Sequence, residues 1–205
     1  MPNKIVFGLA LVAGLSSSCA PAMSRQSEIA AGGNLDDKLA HSTWIADGDV
    51  TLIASSRATR FRLKQAYVPV EFAIINRGMK SLSLTRESFS LVDVHGNRYP
   101  AVGGKELEKG YKGSVDLDRE RFTEAAPIVF GKYPSYSHIP SNFSPGFDNS
   151  IARDHVFLPR YSYIVDFVYF PSPAGYTIGE PLELRVSAPE LPDPVFIRFT
   201  VPPSH

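Results

Sequence analysis

The sequence predicts an all-β sandwich, and three observations carry that expectation. Apolar residues recur with a period of two in several separate stretches, the signature of strands with one buried face. Those stretches are short and divided by turn residues, of which the 205-residue chain holds 17 prolines and 15 glycines. Strands do not alternate with helical patterns, and no Gly-x-Gly-x-x-Gly opens a helix, so a doubly wound parallel sheet is not expected.

The elements follow in order. Val50 and Leu52, then Phe61 and Leu63, predict a hairpin closing around Ser55 to Thr59. Val68, Val70, Phe72 and Ile74 alternate with Pro69, Glu71, Ala73 and Ile75, giving one strongly apolar face and one mixed face. Asn76-Arg77-Gly78 then supplies turn chemistry, since Asn and Gly both tolerate positive φ. Phe89, Leu91 and Val94 predict a short strand closed by His95-Gly96-Asn97. Tyr161, Tyr163, Val165, Phe167 and Tyr169 alternate downstream, and Leu182-Leu184-Val186 and Val195-Ile197-Phe199-Val201 complete the set. Short strands at this spacing define a sandwich, and no linker divides it into two domains.

Residues 103–153 break the rhythm and are expected to form a long irregular insertion. Asp116 to Glu124 predicts a short helix with Asp118 near its start. Asp116-x-Asp118-x-Glu120 is like the start of a calcium loop, but Arg121 and Pro127 stand where that loop needs Gly and Glu. The stretch therefore reads as a solvated charged face. About half of the aromatic residues lie between Phe130 and Tyr176. Those before Phe157 sit among Pro, Ser and Asn, which do not build a strand around them. The simpler reading folds them back as a lid over one sheet. The sharper one makes Tyr133, Tyr136, Phe143 and Phe147 the contacts for a partner, because aromatic rings bury large area at low entropic cost.

The N-terminus reads as an address. Lys4 precedes an apolar run from Ile5 to Leu15, too short as a helix to cross a bilayer and of the right length for a secretory signal. Leu15-Ser-Ser-Ser-Cys19-Ala20 resembles the lipobox of bacterial lipoproteins, with Ser16 standing where Leu is usual. The resemblance implies cleavage before Cys19, acylation of that cysteine, and, since Ala20 and not Asp follows, the outer membrane in a Gram-negative host. Ala20-Pro21-Ala22 is a competing site for ordinary signal peptidase that would discard Cys19 and leave a soluble periplasmic protein. The expected organisation is a signal peptide over 1–18, a lipidated flexible tether over 19–40, rich in Ala, Ser and Gly, and a sandwich over 41–205.

Three stretches carry a second resemblance: Val68 through Gly78, Leu82-Ser-Leu84, and Phe89 through Tyr99. Together they resemble the immunoglobulin-like (telokin-like) domains of bacterial exported lipoproteins, in which Asn-x-Gly ends one strand and Leu-x-Asp-x-x-Gly closes the next. Phe157 to Pro171 is similar to a later strand of the same domains. The family implies an extracytoplasmic immunoglobulin-like β-sandwich without a common catalytic residue.

Several function classes find no support in the residues. With 21 Lys+Arg against 21 Asp+Glu the chain is formally neutral, so no basic field points to nucleic acid. One cysteine excludes an intramolecular disulfide framework and a Cys-based metal site. No Gly-x-Ser-x-Gly elbow occurs, and the five histidines (His41, His95, His138, His155 and His205) lack metal-ligand spacing. The expectation is a protein that is not an enzyme and takes no cofactor or metal. It would meet the membrane through Cys19 and act as a binding or structural module toward an envelope protein or glycan. A soluble periplasmic carrier is the alternative.

Overall fold

The computed structural model describes residues 43–144, 153 and 155–201. In chain order the strands are β1 (Thr43–Ala46), β2 (Val50–Ser55), β3 (Tyr67–Asn76), β4 (Ser81–Thr85), β5 (Phe89–Val92), β6 (Arg98–Pro100), β7 (Ser137–His138), β8 (His155–Pro159), β9 (Ser162–Pro171), β10 (Pro181–Val186) and β11 (Val195–Thr200). Four helices accompany them: α1 (Arg57–Arg62), α2 (Gly104–Gly110), α3 (Val115–Phe122) and α4 (Ala125–Lys132). A five-stranded sheet in the order β1-β2-β3-β9-β7 faces a four-stranded sheet in the order β11-β10-β5-β6, and β4 and β8 form a two-stranded ribbon beside them. All pairings are antiparallel except β7 with β9. This is the all-β sandwich that the alternation predicts.

Period two explains which residues meet inside. Val68, Val70, Phe72 and Ile74 of β3 point into the sandwich with Ile164, Val168 and Phe170 of β9. Opposite them lie Phe89 and Leu91, then Leu182, Leu184 and Val186, then Ile197 and Phe199. The ribbon adds Leu82, Leu84, Val156 and Leu158 to the same core. Phe72 lies at its centre, its ring 4.6 Å from that of Phe89 and 6.1 Å from that of Phe143.

The mixed face of β3 is buried as well. Ile53, Ala73, Ile75 and Tyr163 pack against Ala125 and Val129 of α4. Phe167 and Tyr169 pack against Ala58 of α1, Leu107 of α2, Tyr111 just after α2, and Val115 of α3. The molecule thus has three layers: sheet, sheet, and a helical cover on the outer face of the five-stranded sheet. Residues 103–153, expected to be irregular, contribute three of the four helices to that cover.

Two carboxylates hold the cover down. Glu71 on β3, fully buried, accepts the backbone N–H groups of Glu124 at 2.8 Å and Ala125 at 2.9 Å, the first two donors of α4. Glu124 in turn accepts from the Ser55 hydroxyl (2.7 Å), the Thr43 hydroxyl (3.2 Å) and Arg57 (3.1 Å), so α4, β1, β2 and α1 share one knot. Burial pushes the Glu71 carboxyl up to about 7 despite the N–H bonds, and the Glu124 charge adds to the rise. The second carboxylate is Asp118 on α3, also fully buried. Arg62 reaches one oxygen with Nε (3.0 Å) and Nη2 (2.7 Å), while the Tyr111 hydroxyl and, at 3.1 Å, the Tyr169 hydroxyl donate to the other. Burial, and then this carboxylate, push both phenols up.

Three expectations change here. Asp118 lies at the centre of a dry network, not on a solvated face, because Arg62, Tyr111 and Tyr169 satisfy it from distant parts of the chain. Residues 57–62 form α1 and not the second strand of a hairpin, since β2 takes β3 as its partner and leaves Phe61 exposed. Gly78 is required by close approach and not by positive φ. Its N–H and that of Arg77 donate to the Asp49 carbonyl at 2.8 Å, and a Cβ there would stand 2.4 Å from Asp49 Oδ1. Gly96, by contrast, does adopt φ 81°, in a turn where Asp93 accepts the N–H groups of His95 and Asn97, each at 2.9 Å.

Candidate functional site

β7 covers only the first two residues of β9, so the five-stranded sheet has a short edge beside the cover. A cleft of about 550 Å³ opens there, between α3, α4, β9 and the chain that follows β7. Val165, Asp166 and Phe167 of β9 form its floor, Arg119 of α3 and Phe130 of α4 one wall, His138, Asn142 and Arg153 the other.

The cleft is built around Asp166. Its side chain lies on the inner-facing register, beside Phe72 on β3, where an apolar residue would be expected. One oxygen accepts the Phe143 N–H at 2.9 Å; the other accepts Arg119 Nη2 at 2.9 Å and the Phe167 N–H at 2.8 Å. Held this way, Phe143 enters the core and packs 5.1 Å from the Phe89 ring, filling the space that Asp166 leaves. Arg119 Nη2 is fixed further by Asn142 Oδ1 (2.9 Å) and the Ser144 carbonyl (3.0 Å), while Nη1 meets only Asp116, at 3.9 Å. Arg153 is exposed, and its backbone bridges to Asn142 in both directions.

An aromatic ladder runs from the cleft along the sheet end. Phe130 meets Tyr163 edge-on at 6.1 Å, and His138 lies 5.3 Å from the same ring. Tyr133 and Tyr136 are 5.2 Å apart, and Tyr136 meets Tyr161 edge-on at 5.6 Å. Burial pushes the Tyr163 phenol up. Tyr161 is 56% exposed and has φ 60°, the one non-glycine residue in the left-handed region among the described residues. Two bonds hold it: its N–H donates to the Asn76 carbonyl at 2.8 Å, and its carbonyl accepts from Ser137 at 3.0 Å.

The residues singled out in the sequence therefore separate. Tyr133 and Tyr136 are half-buried members of the ladder. Phe143 is fully buried and belongs to the core, so its ring is closed to a partner. Phe147 and Cys19 lie outside the described residues. The sequence reading missed Arg119, Arg153 and Asp166. None of the three carried a local signal: the alternation Tyr163-Val165-Phe167 puts Asp166 on the opposite side of the strand, where a charge is ordinary, and only the pairing with Phe72 places it inward. Among the described residues no group of three or more His, Cys, Asp or Glu could hold a metal ion.

Fold and cleft together define a β-sandwich with a helical outer cover and a ligand-sized opening at one sheet edge. No protein-family model matches the chain, and no curated protein matches it. Among solved structures it is similar to a DUF4426 family protein from Pseudomonas aeruginosa PAO1, at 9% identity over 80% of this chain and 98% of that one. The TM-score of that superposition is 0.31.

Proposed function

We propose that the protein is a non-enzymatic binding module of the cell envelope, held to a membrane by an acylated Cys19, with its ligand surface at the β7 edge. The cleft is the observation that carries this reading. The main core cluster of the sandwich is apolar, whereas in the cleft charged, amide and aromatic groups converge on an open space of the size small ligands occupy. The single cysteine directly after a short apolar run, and the resemblance to immunoglobulin-like exported lipoproteins, support the envelope and the anchor. No helix of the described residues is long and apolar enough to cross a membrane.

Intact mass of the protein recovered from a bacterial membrane fraction tests the anchor, for the wild type and for Cys19→Ala. An acylated chain beginning at Cys19, with the variant displaced to the soluble fraction, is the expected result. A wild-type chain beginning at Met23 without lipid would overturn the anchor and make the protein a diffusible carrier.

A further inference from the structure

We propose that the cleft takes a monoanionic carboxylate carried on a flat ring, with the carboxylate at Arg153 and Arg119 and the ring on Phe130; this names the ligand class of the binding module and rests on that reading. The charge count comes first. Arg119 is compensated by Asp166 at 2.9 Å and faces Asp116 at 3.9 Å, whereas Arg153 has no ion pair among the described residues. His138 and Asn142 are the remaining strongly polar lining groups, and Asp166 is the one carboxylate on the wall. Among the described lining residues two arginines stand against one carboxylate, and Asp116 lies outside the lining and is exposed, so the cleft suits at most a single negative charge. A dianion would meet the Asp166 carboxylate without a second cation to offset it.

The donors select the shape of the anion. Three acceptors lock Arg119 Nη2, so the guanidinium is oriented before a ligand arrives, and Nη1 remains with only the long contact to Asp116. Nη1, held in this manner, is placed to donate to one carboxylate oxygen, and the exposed Arg153 guanidinium supplies the planar fork that matches a carboxylate. Ser141, which also lines the cleft, has its hydroxyl oxygen buried without a hydrogen-bond partner, a polar group that a bound oxygen would satisfy.

Phe130 supplies the surface for the ring. It is 57% exposed although it sits on a helix whose Ala125 and Val129 are buried, and Tyr163 supports its edge. With Ala126, Val165 and Pro140 it makes an apolar wall beside the arginines. An open space of about 550 Å³ has room for a bicyclic aromatic acid.

The probe is 2-naphthoate, titrated into the full-length protein in detergent and followed by ligand-observed NMR, with thermal melting of every variant as the folding control. Expected are saturable binding, about tenfold weaker binding in Arg153→Ala and in Phe130→Ala at unchanged melting temperature, and about tenfold weaker binding of the uncharged 2-naphthalenemethanol. Absence of saturation by about 10 mM would overturn the proposal, as would equal binding of the alcohol or an Arg153→Ala variant that binds like the wild type. Tighter binding of 2-naphthyl phosphate would overturn the assignment to a monoanion. The readout does not depend on acylation. An unacylated chain that binds 2-naphthoate leaves the site standing, and an acylated chain that does not bind it sinks the site alone.

Discussion

Inner and outer faces of the five-stranded sheet are both dry, yet they are closed by different means. The inner face is covered mostly by interchangeable apolar contacts, in which each side chain touches several others, with polar side chains such as Asn76 and Asp166 the exceptions that have dedicated partners. The outer face relies on named pairs: Glu71 with the first N–H groups of α4, Asp118 with Arg62 and two tyrosines, Glu124 with Thr43, Ser55 and Arg57. Apolar burial drives collapse without fixing direction, whereas buried polar pairs fix where a cover sits because any other placement leaves them unpartnered. The cleft belongs to the second kind of surface. Asp166 and Arg119 position its wall as Glu71 positions α4.

The contrast predicts graded outcomes. Phe72→Ala removes the ring at the centre of the inner core and is expected to cost about 4 kcal/mol in urea unfolding, with both layers lost together. A loss under about 1 kcal/mol would show that the inner face can collapse around the hole. Asp118→Ala strands Arg62 and two phenols and is expected to cost about 3 kcal/mol. It should loosen α3 first, seen as faster amide exchange in the cover than in β3; uniform exchange would break the distinction between the faces.

Glu71 gives the smallest and most specific effect. Its carboxyl titrates near 7 in the folded chain, above its ordinary value of 4.5. Between those values the folded state keeps a proton that the unfolded state has lost, so stability falls as pH rises from about 4.5 to about 7 and levels off above. The fall attributable to this group is at most about 3 kcal/mol, and Glu71→Gln should abolish it. Urea midpoints between pH 4 and 8 with parallel slopes for the two proteins would exclude Glu71 as its origin.

What could be read in the sequence follows the same division. The inner face of β3 was legible because alternation is a local property, visible in Val68 to Ile74 without knowledge of any partner. In β9 the alternation picked out Tyr163, Val165, Phe167 and Tyr169, which pack outward under the helices, while Ile164, Val168 and Phe170 turn inward. The outer face of β3 was not legible. Glu71 made the second face of β3 look mixed, and the groups that satisfy it lie at Glu124 and Ala125, far along the chain. Asp118 misled for the same reason, with spacing typical of a solvated helix and partners at Arg62, Tyr111 and Tyr169. The six-residue α1 is too short to show a helical period. Aromatic density singled out the segment that follows α4, but sorting Phe143 inward from Tyr133 and Tyr136 required the Asp166 carboxylate that catches the Phe143 N–H.

The pairing of β3 with β9 also sets a kinetic condition. Tyr67 lies beside Pro171 and Asn76 beside Ser162, so the central ladder closes a loop on the order of 100 residues that contains almost the whole cover. During synthesis β3 therefore waits, its apolar face unpartnered on that side, until β9 has emerged, and α3 and α4 have only half of their floor before then. Nucleation is delayed to a late stage of chain emergence, and folding is expected to be slow and nearly all-or-none once Ser162 to Pro171 is available to pair.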